Sequence, residues 1–442
     1  MHTDLARRRE RVAAAWALTD ENVLIGAGEP VSIPGGADQT YPFLSHAEYF
    51  YLAEHESPGS VLAFDPHDGW TDFVPATTIA ERVWEGRGDA PGTPRSQLAD
   101  WLAARAGRPV VNLGSPVPDF AADPEYLAHL RELLQHARRR KDATEVSRLH
   151  RACSASAAGF AAARSLMRPG ITERALQIEL EAEFFRHGGD RPGYGTIVGA
   201  GSNSAVLHFS PGPRELAPGD VVLIDAGAEV ERYTADITRT YRVAGGDPGF
   251  FRDLYAVVLG IEERAIAACR RGVEWRDLHL EACRGTLKGL TRLGILRGEV
   301  DALLERDAHA LFFPHGLGHL VGLGVRDASG YLPGRQRSKR PGLDMLRTDL
   351  PLEPGYVITV EPGIYFIPAL LTDPARRAKY ADCVDWARVD GLLEFGGIRI
   401  EDDVLITEGD PDVLTAACPK SLENALSDGR PRPPTAAGAR AT

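Results

Sequence analysis

Cysteine is scarce in this chain, and no apolar run is long enough to span a bilayer. Among the 442 residues are five cysteines, Cys153, Cys269, Cys283, Cys383 and Cys418, scattered, odd in number and without a CxxC pair. This argues against a disulfide framework or a thiolate zinc site and points to a reducing compartment. Nowhere do 18 uninterrupted apolar residues occur, and the basic start MHTDLARRRERVAAAW lacks an apolar stretch of signal length. The expectation is a cytoplasmic protein without a membrane partner. Basic excess is missing too. Fifty Lys and Arg against 62 Asp and Glu give a formal charge of −12, which argues against a nucleic-acid partner. There is also no HExxH, so two histidines on one helix face above a zinc ion are not expected.

What is present describes an ordinary globular chain, 43% hydrophobic and 25% charged, too long for one core. Residues 1–140 read as a small α/β domain. A charged amphipathic helix covers Leu5 to Ala17, strands cover Asn22 to Ala27, Ser60 to Phe64 and Val110 to Leu113, and a helix covers Arg95 to Arg105. The charged stretch from Tyr126 to Lys141 reads as a solvated linking helix. Residues 141–423 read as a second domain. Its helices are expected from Asp142 to Arg164, from Ile171 to Phe185 with Thr172 as N-cap, from Phe251 to Cys269 and from Leu278 to Leu293. Its strands are expected over Val221–Gly227, Tyr233–Val243, Val357–Val360 and Gly397–Ile406. Residues 424–442, rich in proline and without apolar periodicity, read as a disordered tail.

Four carboxylates stand out because each ends or interrupts an apolar strand. Asp225 follows Val221-Val222-Leu223-Ile224, and Asp236 lies in Tyr233-Thr234-Ala235-Asp236-Ile237. Glu361 follows Val357-Ile358-Thr359-Val360, and Glu401 follows Ile398-Arg399-Ile400. A carboxylate there is costly unless paired, hydrogen-bonded or bound to a cation. Taken alone, the two aspartates also fit the ordinary role of Asp in turns and strand edges. His315 and His319 stand four apart in His315-Gly316-Leu317-Gly318-His319, where the glycines favour a strand or loop over a helix. Oxygen-rich ligands with one imidazole suit a divalent ion such as manganese. Four carboxylates balance two such ions, so the arithmetic favours a dinuclear site.

The ordered set Asp225, Asp236, His319, Glu361 and Glu401, with the strings LIDAG, TADIT, HGLGH, VEPGIYF and GGIRIEDD, resembles the prolidase and aminopeptidase P branch of the pita-bread metallopeptidases. The match spans roughly residues 145–420, and Gln39–Phe43 and Tyr49–Leu52 resemble that branch's leading domain more weakly. The resemblance implies an α/β (α+β) fold in which a small N-terminal α/β domain precedes a pita-bread catalytic domain of pseudo-twofold symmetry. It implies two metal ions, with Asp225 on one, His319 and Glu361 on the other, and Asp236 and Glu401 bridging, and it implies a homodimer. Similarity to the prolidases carries Tyr194 and His208 into the substrate pocket, makes Arg347 the holder of a substrate carboxylate, and adds Arg399. One departure is clear. Where the family pattern has a second histidine before an aspartate, this chain has Arg326-Asp327. An arginine there can hold an anion but cannot pass a proton.

The reading that follows is hydrolysis of the Xaa-Pro bond of dipeptides by a metal-bridging hydroxide. Glu361 carries the proton, and His208, His315 and Arg326 stabilise the oxyanion or the product carboxylate. The alternative is Xaa-Pro aminopeptidase action on longer peptides. Either way the expected partner is a small peptide with proline second.

Overall fold

The computed structural model describes residues 3–117 and 124–426 and divides into two compact units, Met1–Arg138 and Arg139–Thr442. The first unit opens with α1 (Thr3–Trp16), β1 (Asn22–Gly26) and α2 (Ala47–Ala53). It continues through β2 (Val61–Asp65), β3 (Gly69–Val74), α3 (Ile79–Trp84), β4 (Thr93–Pro94), α4 (Leu98–Ala103), β5 (Val110–Gly114) and α5 (Pro124–Arg139). The sheet order is β4-β3-β2-β1-β5, antiparallel in the middle and parallel at both edges. Leu24, Val61, Ala63, Phe73 and Leu98 form its core. The helix expected over Arg95 to Arg105 starts as a 3₁₀ turn, Arg95–Gln97, and is α-helical only from Leu98 to Ala103.

The run Arg138-Arg139-Arg140-Lys141 corrects the solvated-linker expectation. Leu130, Leu134 and Ala137 bury one face of α5, and Arg138, Arg139 and Lys141 are buried with them. Long basic side chains follow their apolar stems inward when their heads find partners. Arg138 sits over the Tyr51 ring, Arg139 Nε donates to the Ala328 carbonyl, and Lys141 pairs with Asp327 at 3.1 Å.

The second unit has two halves, each opening with a pair of long helices that antiparallel strands follow. The first half has α6 (Ala143–Leu166) and α7 (Glu173–Arg186), with Asp142 and Thr172 capping them as side-chain acceptors. Its strands are β6 (Arg191–Pro192), β7 (Ile197–Ala200), β8 (Val221–Ala226), β9 (Ala228–Val230), β10 (Tyr233–Thr234) and β11 (Ile237–Arg242). The second half has α8 (Gly249–Ala268), α9 (Trp275–Arg292) and α10 (Val300–Glu305). Its strands are β12 (Val357–Val360), β13 (Gly363–Tyr365), β14 (Gly397–Arg399), β15 (Asp402–Leu405) and β16 (Asp412–Val413). No helix among the described residues is long and apolar enough to cross a membrane.

Alternation along the strands explains where polar residues go. Val222, Ile224, Ile237 and Tyr241 share a core with Phe160, Leu180 and Phe184 of α6 and α7. The intervening Leu223, Asp225, Thr238 and Thr240 therefore face away from those helices. In the second half Ile358, Val360, Ile398 and Ile400 share a core with Leu254, Val258, Leu287 and Leu290 of α8 and α9. Thr359, Glu361, Arg399 and Glu401 take the other parity. The helices thus cover one face of each strand set and leave the opposite face to the polar residues.

Two strands expected as continuous are broken. Tyr233–Val243 splits into β10 and β11 around Ala235-Asp236, and Gly397–Ile406 splits into β14 and β15 around Ile400-Glu401. The first break follows from packing at Gly227, where a Cβ would stand 1.7 Å from the Ala235 carbonyl oxygen. Residues 424–426 also depart from expectation. They belong to a helical turn, Leu422–Leu426, whose Leu422 and Leu426 pack on the α8–α9 core; Ser427 to Thr442 lie outside the described residues.

Arg239 ties the two halves together. Its guanidinium donates to Asp402 at 2.6 Å and to the carbonyls of Glu401, Thr238 and Cys418, while Lys420 pairs with the other Asp402 oxygen. Removing one partner of such a buried pair strands the other charge. Arg239→Leu is expected to lower stability by about 3–5 kcal/mol, seen as an earlier urea unfolding midpoint.

Candidate metal centre and substrate cavity

Tyr194, His208, Asp225, Asp236, His315, His319, Arg326, Arg347, Glu361, Arg399 and Glu401 all line one cavity of about 520 Å³ in the second unit. They reach it by a few local devices. Asp225 is the inward residue next to the end of β8, opposite Thr238 of β11. Asp236, Glu361 and Glu401 occupy the gaps between β10 and β11, β12 and β13, and β14 and β15. A gap frees a carboxylate from strand geometry while keeping its backbone anchored. The Glu401 N–H donates to the Thr238 carbonyl, that of Glu361 to Leu317, and that of Asp236 to the Asp403 carboxylate.

His315 and His319 sit in an irregular segment alongside β12, as the glycines suggested. Thr359 N–H donates to the His319 carbonyl, and the Thr359 hydroxyl accepts from His319 N–H. The chains approach so closely that a Cβ on Gly318 would stand 1.9 Å from the Thr359 carbonyl oxygen. His319 Nδ1 lies 3.2 Å from the Leu320 carbonyl. A carbonyl only accepts, so Nδ1 carries the proton and Nε2 presents its lone pair, the tautomer of a metal ligand. Nε2 points to Asp236 at 3.5 Å and Glu361 at 3.9 Å. Asp236, His319 and Glu401 offer donor atoms all within 4.8 Å of one another.

Asp225 stands apart from that trio. Arg399 Nη2 donates to one of its oxygens at 2.5 Å and the Tyr194 hydroxyl to the other at 2.7 Å; Tyr194 also lies 2.6 Å from Asp236. Arg399 extends the network through Tyr365, whose hydroxyl is 2.9 Å from Arg399 Nη1 and 2.8 Å from His315 Nε2. Both ring nitrogens of His315 are engaged, since Nδ1 meets the Gly316 carbonyl. The Thr238 hydroxyl bonds Glu401 at 2.5 Å and accepts from Arg399 Nε. His208, Arg326 and Arg347 lie at the exposed mouth and make no hydrogen bond or ion pair among the described residues.

Burial and like charge set the protonation of the cluster. Burial pushes Glu361 up to about 7, and burial with neighbouring carboxylates pushes Asp236 and Glu401 well above the usual carboxylate range. Burial lowers His319 to about 4 and His315 to about 3, and lowers His208 as well, so these imidazoles are neutral near pH 7. Crowded carboxylates around a neutral imidazole with its lone pair inward are a donor set that fits divalent cations, because cation charge relieves the repulsion that burial imposes.

The sequence reading missed Thr238, Tyr365 and Asp403. Thr238 is two residues beyond Asp236 in an apolar strand, so the period-two pattern marks it. Asp403 is fully buried and holds the Asp236 N–H, a contact between residues 167 apart in sequence.

Residues 147–408 match the family model described as metallopeptidase family M24, and residues 5–97 match that of the aminopeptidase P N-terminal domain. The chain is 31% identical to the Xaa-Pro aminopeptidase of Escherichia coli strain K12, covering 95% of this chain and 96% of that one. It is 33% identical to the Xaa-Pro dipeptidase of Xanthomonas axonopodis pv. citri strain 306, covering 90% and 94%. Among solved structures, aminopeptidase PepP of Pseudomonas aeruginosa superposes with a TM-score of 0.76 at 28% identity over 95% of this chain and 96% of that one. Zinc-substituted Escherichia coli aminopeptidase P in complex with product gives 0.77 at 29% identity over the same shares.

Asp403 orients Asp236 from behind, and such supporting contacts typically govern metal affinity. Asp403→Leu is expected to weaken manganese binding by about 10–100-fold, measured by calorimetric titration of the metal-stripped protein, with Asp403→Asn closer to the parent.

Proposed function

The chain belongs to metallopeptidase family M24 and is an α/β metallopeptidase with the pita-bread fold; from the geometry of its cavity we propose that it hydrolyses the Xaa-Pro bond of dipeptides. The observation that carries this is the pair Arg326 and Arg347, two guanidiniums without a partner among the described residues, in the cavity that holds the carboxylate cluster. A dipeptide ends in a carboxylate one residue beyond the scissile bond, and the planar fork of arginine matches a carboxylate bidentately. Burial and then the Arg326 charge lower the Arg347 pKa, so an anion between them is favoured.

We assign Asp225, Asp236, His319, Glu361 and Glu401 as ligands of two divalent ions, manganese above all. When bound, such ions polarise a carbonyl and acidify water. The chain's own groups do the rest. Glu361, half-buried beside His315 at 3.7 Å, takes a proton from the attacking water and delivers it to the proline nitrogen. His208, neutral and without a hydrogen-bond partner among the described residues, donates from the cavity mouth to the oxygen on which charge develops. His315, Tyr365 and Arg399 form a chain that fixes Asp225 and the floor of the cavity. Arg326 holds charge only, since a guanidinium does not give up its proton near neutral pH.

A second reading, Xaa-Pro aminopeptidase action on longer peptides, is favoured by the exposure of Arg326 and Arg347, which leaves the way past them open to solvent.

Two experiments separate the readings. Metal-stripped protein supplied with manganese is expected to cleave Gly-Pro faster than a pentapeptide beginning Gly-Pro, and to cleave neither without metal; preference for the pentapeptide would move the assignment to the aminopeptidase. Arg347→Ala is expected to lower kcat/KM for Gly-Pro by about 10–100-fold, mostly through KM, with the pentapeptide unaffected.

A further inference from the structure

A smaller cavity of about 280 Å³ adjoins the main one and shares Arg326 and Arg347 with it. Its remaining lining is Ser329, Tyr331, Arg337 and Leu346. Three guanidiniums thus face one small space, and no carboxylate lines it.

The hydrogen-bonding capacity left over in that space consists mostly of donors. Arg326 and Arg347 are without partners among the described residues. Arg337 gives Nε to the Asp344 carbonyl and turns Nη2 toward the Met345 sulfur at 3.6 Å, which leaves Nη1 unused. The Ser329 hydroxyl oxygen accepts from Leu320 N–H at 2.9 Å, and its hydrogen remains for donation. The Tyr331 hydroxyl is spent on the Leu346 carbonyl, which fixes that ring as a wall. A ligand for such a lining must bring acceptors and negative charge.

Continuity with the main cavity identifies the source of that charge. Arg326 and Arg347 stand where the two spaces meet. One more residue adds roughly 3.3–3.6 Å of extended chain and carries a peptide's terminal carboxylate past them toward Arg337.

We propose that this small cavity, with Arg337, is a second carboxylate subsite that takes the C-terminus of an Xaa-Pro-Yaa tripeptide; the proposal rests on the Xaa-Pro reading of the main cavity. Dipeptides end at Arg326 and Arg347, and tripeptides end at Arg337. The cavity then gauges chain length by the position of one carboxylate, and a longer or amidated chain brings a neutral amide into a space built from donors.

The test uses the full chain with manganese and three substrates: Gly-Pro, Gly-Pro-Ala and Gly-Pro-Ala-amide. Wild type is expected to prefer the free tripeptide to its amide. Arg337→Ala is expected to reduce kcat/KM for Gly-Pro-Ala about tenfold or more, through KM, with Gly-Pro and the amide changed by less than twofold and Arg337→Lys recovering part of the loss. Unchanged Gly-Pro turnover would exclude misfolding as the cause. An equal loss on the tripeptide and its amide, no loss on either, or indifference of wild type to amidation would overturn the subsite. Failure of wild type to cleave any of the three would overturn the Xaa-Pro reading itself, and the subsite with it.

Discussion

Gathering four carboxylates in one largely buried cavity is the constraint around which the second unit is arranged. Each costs free energy to desolvate, and each raises the cost of the next. The surroundings offset this in part, at the Asp225 and Glu401 carboxylates, and elsewhere only anchor the backbone. Arg399 and Tyr194 hold Asp225, Thr238 holds Glu401, and the N–H groups of Asp236, Glu361 and Glu401 are all engaged. The remaining excess of negative charge lies beside a neutral His319, in a cluster whose Asp236, His319 and Glu401 donor atoms could hold a metal ion.

The same constraint accounts for the scaffold. Helix pairs α6–α7 and α8–α9 bury the apolar parity of their strands and leave the opposite parity to the site. Arg239 links them from below, holding the Glu401 carbonyl and Asp402 while its own strand neighbour, Thr238, bonds the Glu401 carboxylate. Asp402 and Asp403 are consecutive but do different things. Asp402 compensates Arg239 and Lys420, whereas Asp403, pushed up to about 8 by burial, supports Asp236. Positive charge is divided in a similar way, with Arg399 inside the cluster and Arg326, Arg337 and Arg347 at the rim.

Much was legible in the sequence by itself. Apolar periodicity marked most of the helices and strands that carry the site, and Asp142 and Thr172 marked helix starts because capping is a local hydrogen bond. Acidic residues at the ends of apolar strands marked Asp225, Asp236, Glu361 and Glu401, since a carboxylate is costly there without a counter-charge. The glycines of HGLGH marked an irregular segment in close approach to another strand. The elements, the caps and the irregular segment were legible because each depends on neighbours within a few residues.

Only the tertiary structure decided the rest, because those outcomes depend on partners far apart in the chain. The break at Asp236 lies where Gly227 packs against Ala235 and that at Glu401 where its N–H meets the Thr238 carbonyl, and periodicity alone ran straight through both. Burial of Arg138, Arg139 and Lys141 required partners such as Tyr51, Ala328 and Asp327, so composition alone made them a solvated face. The support of Asp236 by Asp403, and the meeting of Arg326, Arg337 and Arg347 around one small space, follow from the folded path of the chain. Sequence identified which residues carry charge that must be compensated; the fold determined which group meets each one and which positive charges stand at the rim of the cavity.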